Sequence, residues 1–338
     1  MSRERILVTG GTGFIGAHVL PLLQAPAPHG PRPAVRLLAH RRPGPELLAA
    51  DGETVRGDLA DPATLHGVCE GVTTVLHLAA RVGGTEDECR AVNEEGTHAL
   101  LAEAARAGVR RVVQLGTAAV YGDGPHRCEP EGGPAEAPVS ATSATRLAGE
   151  RLVLSAGGTV VRPYLVYGEG DRWVVPSLAL LLGQVPHWVD GATARVSLIS
   201  APVLAAVLAE LALEPGERGA PARLGESLPG GAAGASPGRV LHAAHPEPVA
   251  VRELVTTVCR ALSLPLPDGD IPLSAARARL TASAARRPLE LLAHDHWYDS
   301  SRLWSTVTTR PGPAFTADFP ACAPWYRKAL AEPGSAGR

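Results

Sequence analysis

Short apolar runs alternate with longer segments of helical periodicity through the first half of the chain. The runs of strand length lie at residues 5–8, 35–42 (with the turn that ends it), 75–80, 112–122 and 160–163. A helical segment follows the first run and ends at residue 23, and two more lie at residues 93–107 and 140–155. This alternation predicts an α/β fold with a parallel sheet covered by helices on both faces.

The turn after the first apolar run is rich in glycine. Gly10 and Gly13 permit a tight turn and a close approach of backbone to a pyrophosphate, and Gly16 allows the next helix to pack on the strand. Phe14 and Ile15 open that helix, whose N-terminus offers unpaired N–H groups to phosphate. A strand, a glycine turn and a helix in this order predict a dinucleotide site.

The end of the second strand favours one cofactor. An acidic residue at this position would bind the ribose hydroxyls of NAD, but the chain has His40, Arg41 and Arg42. Guanidinium groups match the geometry of a 2′-phosphate, so the sequence predicts NADP(H). The alternative is that these arginines lie on the surface of an arginine-rich protein without a ligand.

Composition excludes several classes of function. The chain has 338 residues, 45% of them hydrophobic, a net charge of -2 and no basic run, so nucleic acid is not an expected partner. The N-terminus leads directly into a strand and no apolar stretch could span a membrane, so we expect a cytoplasmic protein without a signal peptide. The five scattered cysteines predict neither a disulfide framework nor a metal site.

Further motifs resemble one family. Six segments resemble, in order, those of the extended short-chain dehydrogenases/reductases, a family similar to NAD(P)-dependent epimerases and dehydratases. They are residues 57–59, 75–80, 92–97, 117–122, 146–150 and 162–168. The resemblance is strong to residue 170 and looser beyond. It implies a Rossmann-type doubly wound parallel sheet in an NADP-binding domain at residues 1–170. Residues 171–338 would mainly form a smaller substrate lobe and lid, with some segments returning to the Rossmann domain.

The resemblance also implies roles for individual positions. Further cofactor contacts would come from residues near the strand ends, namely Asp58, Leu59, Leu78, Ala79, Ala80, Pro163, Leu165 and Val166. The hydroxyl of Thr117 would orient the substrate. Candidate substrate contacts are Tyr121, Tyr164, Trp173, Trp188 and Arg195, although most tryptophans could instead serve packing. Family members often dimerise through the helices that correspond to residues 93–107 and 140–155, so a homodimer is expected.

The chain departs from the family at the catalytic pair. The register of residues 146–150 places Thr142 and Arg146 where the family has tyrosine and lysine. The tyrosine donates the proton in ketone reduction, and the lysine lowers its pKa and holds the nicotinamide ribose. An aliphatic hydroxyl is too weak an acid for this task, whereas arginine can still bind ribose but stays charged. Lys328 is the only lysine and no tyrosine precedes it by four residues, so the pair has not moved elsewhere.

Four explanations stay open for this departure. Another side chain could donate the proton, and proximity in sequence nominates Tyr121, Tyr164, Tyr167 or His126. Water could donate it. The substrate could donate it from a phenol beside the ketone, with the protein contributing orientation. Finally, the protein could lack redox chemistry altogether.

The leading hypothesis is an NADPH-dependent ketoreductase acting on a small-molecule ketone. In its missing pair and its composition, the chain resembles atypical reductases of angucyclinones, polycyclic aromatic polyketides of antibiotic biosynthesis that carry hydroxyls beside carbonyls. One alternative is a catalytically silent relative that senses NADP and regulates a partner. The other is a nucleotide-sugar reductase or epimerase, which Arg195 favours because family epimerases bind a diphosphate with such an arginine.

Overall fold

The computed structural model describes residues 4–25, 32–40, 52–214, 238–281 and 283–331. In chain order, its strands are β1 (Arg5–Thr9), β2 (Ala34–Ala39), β3 (Glu53–Arg56), β4 (Thr74–His77), β5 (Arg111–Leu115), β6 (His126–Glu129), β7 (Thr159–Pro163), β8 (Leu165–Tyr167), β9 (Trp188–Val189), β10 (Arg195–Val196), β11 (Leu198–Ser200), β12 (Arg239–Ala243), β13 (Val249–Ala250), β14 (Asp270–Ile271) and β15 (His296–Tyr298). The α-helices are α1 (Phe14–Gln24), α2 (Glu86–Arg90), α3 (Gly96–Arg106), α4 (Ala141–Ser155), α5 (Val174–Gln184), α6 (Ala201–Leu213), α7 (Val251–Leu262), α8 (Leu273–Arg279), α9 (Ser283–Ala293), α10 (Ser301–Thr306) and α11 (Phe315–Ala331).

Seven strands form one parallel sheet in the order β12-β7-β5-β4-β1-β2-β3. Apolar side chains of α1 and α6 pack on one face, and those of α3 and α4 pack on the other. Strands buried on both faces are expected to be continuous apolar runs, as observed along the chain. The prediction of a Rossmann-type doubly wound sheet with a smaller C-terminal lobe is confirmed.

The smaller lobe is built around a four-stranded sheet in the order β13-β10-β15-β6. Its core joins α5, α7 and α11 through residues that include Phe315, Phe319 and Tyr326. Helix α6 and strand β12 follow residue 170 in the chain but pack with the large sheet. From the carboxyl ends of β5 and β7 the chain passes to β6 and β8, which belong to the smaller lobe.

Two elements differ from their sequence-based prediction. The predicted strand at 112–122 ends at Leu115, and residues Ala118–Tyr121 form a 3₁₀ turn. The strand ends because the Thr117 hydroxyl accepts a hydrogen bond from the N–H of Ala119 and caps this turn. The helix predicted from residue 93 begins earlier, at Glu86, under a capping box formed by Thr85 and Glu88, and reaches α3 through a π-helical turn.

The length and apolar character of the helices bear on whether any of them could span a membrane. Within the described ranges, no helix combines the length and the apolar character that crossing a bilayer would require.

Candidate active site

The glycine turn brings β1, α1 and β4 into close contact. Gly10 has φ +68°, and a Cβ on it would lie 2.6 Å from the backbone N of Ala79 and 2.7 Å from its Cα. A side chain is therefore excluded by both conformation and space. A Cβ on Gly16 would collide with the carbonyl of Gly10. No side chain caps the N-terminus of α1 at Gly13. A phosphate-binding helix N-terminus would require this.

A loop of the smaller lobe lies beside this cradle. A Cβ on Gly170 would lie 2.9 Å from the ring of Phe14, the first residue of α1. Nε2 of His18 and the carbonyl oxygen of Glu169 are 2.8 Å apart. The first two turns of α1 thus contact both the large sheet and the loop that leads to Trp173.

The adenosine end of the predicted cofactor site is partly described. His40 is exposed at the end of β2, whereas Arg41 and Arg42 lie outside the described residues. Asp58 and Leu59 follow β3, and Leu59 is buried. The carboxylate of Asp58 accepts a hydrogen bond from the N–H of Ala60 at 2.9 Å. The residues present at this edge fit an adenosine, with one acidic side chain beside the ends of β2 and β3.

A buried histidine anchors the end of β4. The hydroxyl of Thr97 donates to the carbonyl of Asn93, so it accepts from Nε2 of His77 at 3.0 Å. Nδ1 of His77 then accepts from the hydroxyl of Thr9 at 2.7 Å. Burial lowers the pKa of His77 to about 4, so the ring is neutral at neutral pH. The two hydrogen bonds of the neutral His77 ring fix the end of β4, from which Leu78, Ala79 and Ala80 follow.

The loop after β5 rests on a buried charge pair. Glu150, fully buried on α4, accepts from the N–H of Thr117 at 2.9 Å and from Nε of Arg162 at 2.7 Å. Arg162 also donates to the hydroxyl of Tyr121 at 2.8 Å and to Glu136 at 2.7 Å. Because each charge has partners, the pair is tolerated in the interior and holds Thr117 in place.

Arg146 binds the backbone that precedes Thr117. Its Nη2 donates to the carbonyls of Leu115 at 3.0 Å and Gly116 at 2.8 Å. Burial lowers the pKa of Arg146, opposed by the charge of Glu150. Among the described residues, Nε and Nη1 of Arg146 have no hydrogen-bond partner. These donors are at the carboxyl edge of the sheet and suit a ribose hydroxyl.

Thr142, one turn before Arg146 on α4, is engaged by a different loop. Its hydroxyl oxygen accepts a hydrogen bond from the N–H of Gly83 at 3.1 Å. The Sγ of Cys89 lies 3.7 Å from the same oxygen and donates to the carbonyl of Gly83 at 3.5 Å. The position that the resemblance assigns to the proton donor therefore holds a backbone amide.

All five tyrosines of the chain are among the described residues. Tyr121 donates to Nε2 of His242 at 2.7 Å, since Nδ1 of His242 lies 3.2 Å from the carbonyl of Asp299 and donates to it. Tyr164 donates to the carbonyl of Leu291 at 3.0 Å, and Tyr167 donates to Asp318 at 2.8 Å. Tyr326 donates to Asp171, and the buried hydroxyl of Tyr298 has no partner among the described residues.

Burial is the largest influence on every one of these phenols. It raises the pKa of Tyr121, Tyr164, Tyr167, Tyr298 and Tyr326 above the ordinary value of 10.0. A raised pKa makes a phenol a weaker proton donor. His126, the remaining nominated donor, is buried, and its Nε2 has no partner in the part of the chain that the structure describes.

The candidate substrate residues lie in separate surroundings. Trp173 is 55% exposed before α5, and Tyr164 stacks on His296 with ring centroids 5.1 Å apart. Trp188 borders an apolar pocket between α5, α7 and α9, and the guanidinium of Arg252 lies 4.1 Å from its ring centre. Arg195 is exposed, with its guanidinium 6.0 Å from the ring centre of Trp297.

Comparison with protein families matches residues 6–195 to the model described as the NAD dependent epimerase/dehydratase family. The chain belongs to this family. The match covers β1 to β10, including the glycine turn, Thr117, Thr142 and Arg146.

Two curated relatives of the family cover most of the chain. The 2-alkyl-3-oxoalkanoate reductase of Stenotrophomonas maltophilia is 30% identical over 87% of this chain and 91% of its own length. The 4-hydroxy-2-methyl-3-oxo-4-farnesyl-3,4-dihydroquinoline-1-oxide ketoreductase of Stigmatella aurantiaca is 30% identical over 81% and 78%. These names, with the family, indicate an oxidoreductase.

Solved structures support the fold. The UDP-glucuronic acid 4-epimerase of Bacillus cereus, solved in complex with NAD, aligns with a TM-score of 0.69 and 16% identity. The alignment covers 97% of this chain and 100% of that chain. At this identity the likeness concerns the fold alone.

Three contributors to the site carried no role in the sequence-based prediction. Glu150 accepts a hydrogen bond from the N–H of Thr117, His242 accepts one from the hydroxyl of Tyr121, and the N–H of Gly83 donates one to the hydroxyl oxygen of Thr142. A carboxylate on the apolar side of a helix was a usable signal for Glu150, because buried charges are almost always paired. No local signal connects Gly83 with Thr142, which is 59 residues away.

Proposed function

We propose that the protein is an NADPH-dependent ketoreductase that reduces a carbonyl of a polycyclic aromatic polyketide of the angucyclinone type, in antibiotic biosynthesis. NADPH supplies the hydride when it is bound, and the proton comes from the substrate or from water. The observation that carries this assignment of the proton source is that every tyrosine hydroxyl of the chain is either engaged by a protein acceptor or buried. Four of the five tyrosine hydroxyls donate to protein acceptors, and the fifth is buried.

The side chains of the site would then bind and orient rather than donate a proton. Gly10, Gly13 and the first residues of α1 would hold the pyrophosphate, and Asp58 would contact the adenine. Nε and Nη1 of Arg146 would hold the nicotinamide ribose. The Thr117 hydroxyl, which accepts from the N–H of Ala119, can donate its own proton to the substrate oxygen as a hydrogen bond.

A hydroxylated aromatic ketone completes this chemistry without a protein acid. Hydride adds to the carbonyl carbon, and the carbonyl π electrons move to oxygen as an alkoxide. A neighbouring phenol of the substrate gives its proton to that alkoxide, and the resulting phenolate recovers a proton from water. Orientation of substrate against cofactor then supplies most of the rate enhancement.

Two substrates separate the proton sources. A ketone with a free neighbouring phenol and its O-methylated analogue should be compared at saturation. A fall in kcat of about 10²-fold for the analogue would identify the substrate as donor, and equal kcat would identify water. A loss of more than about 100-fold in Tyr121→Phe or Tyr164→Phe, with NADPH still bound, would overturn the proposal.

The cofactor assignment has its own test. NADPH should bind more tightly than NADH, and Arg41→Ala should weaken NADPH selectively, because the lost guanidinium would contact only the 2′-phosphate. Equal weakening of both cofactors would remove the role assigned to Arg41.

A further inference from the structure

The loop between β4 and α2 is held on both sides of a single exposed apolar residue. Before it, the N–H of Arg81 donates to Oδ1 of Asn93 at 2.7 Å, and Nδ2 of Asn93 donates to the carbonyl of Arg81 at 3.0 Å. After it, the N–H of Gly83 donates to Thr142 and its carbonyl accepts from Cys89. Between these two clamps lies Val82, with 45% of its surface exposed.

Such full engagement is unusual for an exposed loop. The peptide groups of exposed loops usually form hydrogen bonds with water, and a single exposed valine does not by itself indicate a function. Here the N–H and C=O groups of Arg81 and Gly83 are all bonded to side chains from the helical segments of residues 89–93 and α4. Val82 is thereby fixed, so a ligand that contacts it loses little freedom by ordering the loop.

The clamped residue is beside the candidate reaction centre. Val82 follows Ala79 and Ala80 at the end of β4, and its neighbour Gly83 bonds directly to Thr142. Val139, 52% exposed, lies three residues before Thr142 in the chain. Two exposed apolar residues therefore adjoin Thr142, Val82 through the hydrogen bond of its neighbour Gly83 and Val139 along the chain.

We propose that Val82 is a specificity-determining residue, which contacts the apolar ring face of the substrate next to the reacting carbonyl, and that Thr142 is a positioning residue that holds it there. This inference rests on the proposed function. It gives the Thr142 hydroxyl a task, since the oxygen accepts from the loop N–H. It also favours a flat, apolar ring over a sugar, whose hydroxyls would lose water against Val82.

The test measures binding of 1,8-dihydroxyanthraquinone to the full-length protein saturated with NADP⁺, by fluorescence quenching. Val82→Ala should weaken binding about tenfold, because the contact area of two methyl groups is lost. Thr142→Val should weaken it several-fold, and Thr142→Ser should restore it, because serine keeps the oxygen that accepts from Gly83. The control is Leu22→Ala, an equally exposed apolar residue near the far end of α1, which should bind as the wild type does.

Further measurements keep a structural role separate from a positioning role. The midpoint of thermal unfolding and the affinity for NADPH should be unchanged in Val82→Ala. Hydrogen exchange in residues 81–85 should accelerate in Thr142→Val and not in Thr142→Ser. Equal anthraquinone affinity in the wild type and Val82→Ala, or no saturable binding to the wild type, would overturn the inference.

The proposed function can fail without this inference. If the wild type binds the anthraquinone through Val82 but transfers no hydride to any ketone, the assignment of Val82 stands and the reductase assignment falls. If hydride is transferred but Val82→Ala changes neither binding nor KM, the reverse holds.

Discussion

The glycine turn between β1 and α1 and the first turns of α4 lie at the same edge of the sheet, yet they constrain sequence in different ways. At Gly10, the backbone of Ala79 occupies the space of any side chain. Thr142 and Arg146, the positions that the resemblance assigns to the catalytic pair, each have hydrogen-bond partners in the protein. The candidate cofactor half of the site, around Gly10, is fixed by steric exclusion, whereas the candidate catalytic half, around Thr142 and Arg146, is fixed only by satisfied polar groups.

Under the proposed function, this difference would explain how a family fold can keep its cofactor site and lose its acid. Replacing the tyrosine requires only that the smaller side chain satisfy its surroundings, and Thr142 does so through Gly83. Replacing Gly10 would require β4 to move. Replacing the tyrosine would alter the chemistry and preserve the fold, whereas replacing Gly10 would disrupt both the fold and the site.

The largest effect is expected from Gly10→Ala. The new Cβ would meet Ala79 and would force a φ of +68° on alanine, so NADPH affinity should fall more than about 100-fold and unfolding free energy by about 3–5 kcal/mol. The control is Gly67→Ala, at φ +81° with nothing within 4 Å, which should cost about 1 kcal/mol and leave binding intact. Urea unfolding and NADPH fluorescence measure both. Similar losses in the two variants would contradict steric exclusion.

Acid should weaken the cofactor half through His77. Its pKa is lowered from 6.5 to about 4, so below pH 6.5 the unfolded chain binds a proton that the folded protein refuses. The contribution of His77 is therefore lost as pH falls from 6.5 towards 4, by about 2 kcal/mol at pH 5. His296, with its pKa also lowered to about 4 by burial, should add a similar loss.

Urea unfolding at pH 7 and pH 5 measures this loss, and His77→Gln should remove the share due to His77. A pH dependence that is equal in the variant and the wild type would contradict the assignment.

A smaller effect is expected from Arg146→Ala. It removes the hydrogen bonds to Leu115 and Gly116 and the proposed ribose contact, so NADPH affinity should fall about tenfold. Arg146→Lys introduces the residue that the resemblance assigns to this position and should stay within about threefold of the wild type, since it keeps a cation that would reach the ribose. Unchanged affinity in Arg146→Ala would place the ribose elsewhere.

The smallest effect on the chemical step is expected from Thr142→Ala. If Thr142 holds the loop and donates no proton, kcat should stay within about threefold while KM for the ketone rises. A thousandfold fall in kcat would identify Thr142 as the acid and would contradict its assignment as a residue that only positions the loop.

Sequence patterns predict the strands and turns that depend on interactions within a few residues. The apolar runs located β1, β4 and β7, and the glycine spacing located the turn at Gly10, because strand burial and φ > 0 act within a few residues. The end of β5 was misplaced because a capping hydroxyl, that of Thr117, stopped an otherwise apolar run. The helix that was expected at Asn93 starts earlier because the capping signal at Thr85 outweighs the weak periodicity that follows.

The site was less predictable because its support is non-local. Glu150 and Arg162 pair across different elements, Tyr121 reaches His242 over 121 residues, and Gly83 reaches Thr142 over 59. Sequence could nominate Tyr121, Tyr164 and Tyr167 as acids, but only coordinates reveal that each proton is already engaged.

The central claim is that hydride transfer persists in a site without a tyrosine that acts as the acid. Its most direct test incubates the protein with NADPH deuterated on the transferable face and a panel of ketones that includes hydroxylated polycyclic aromatics and nucleotide keto-sugars. Mass spectrometry then locates the label. We expect deuterium on the carbinol carbon of an aromatic alcohol, with little change in Thr142→Ala. Label in a sugar product, or no label in any ketone while NADPH remains bound, would contradict the account.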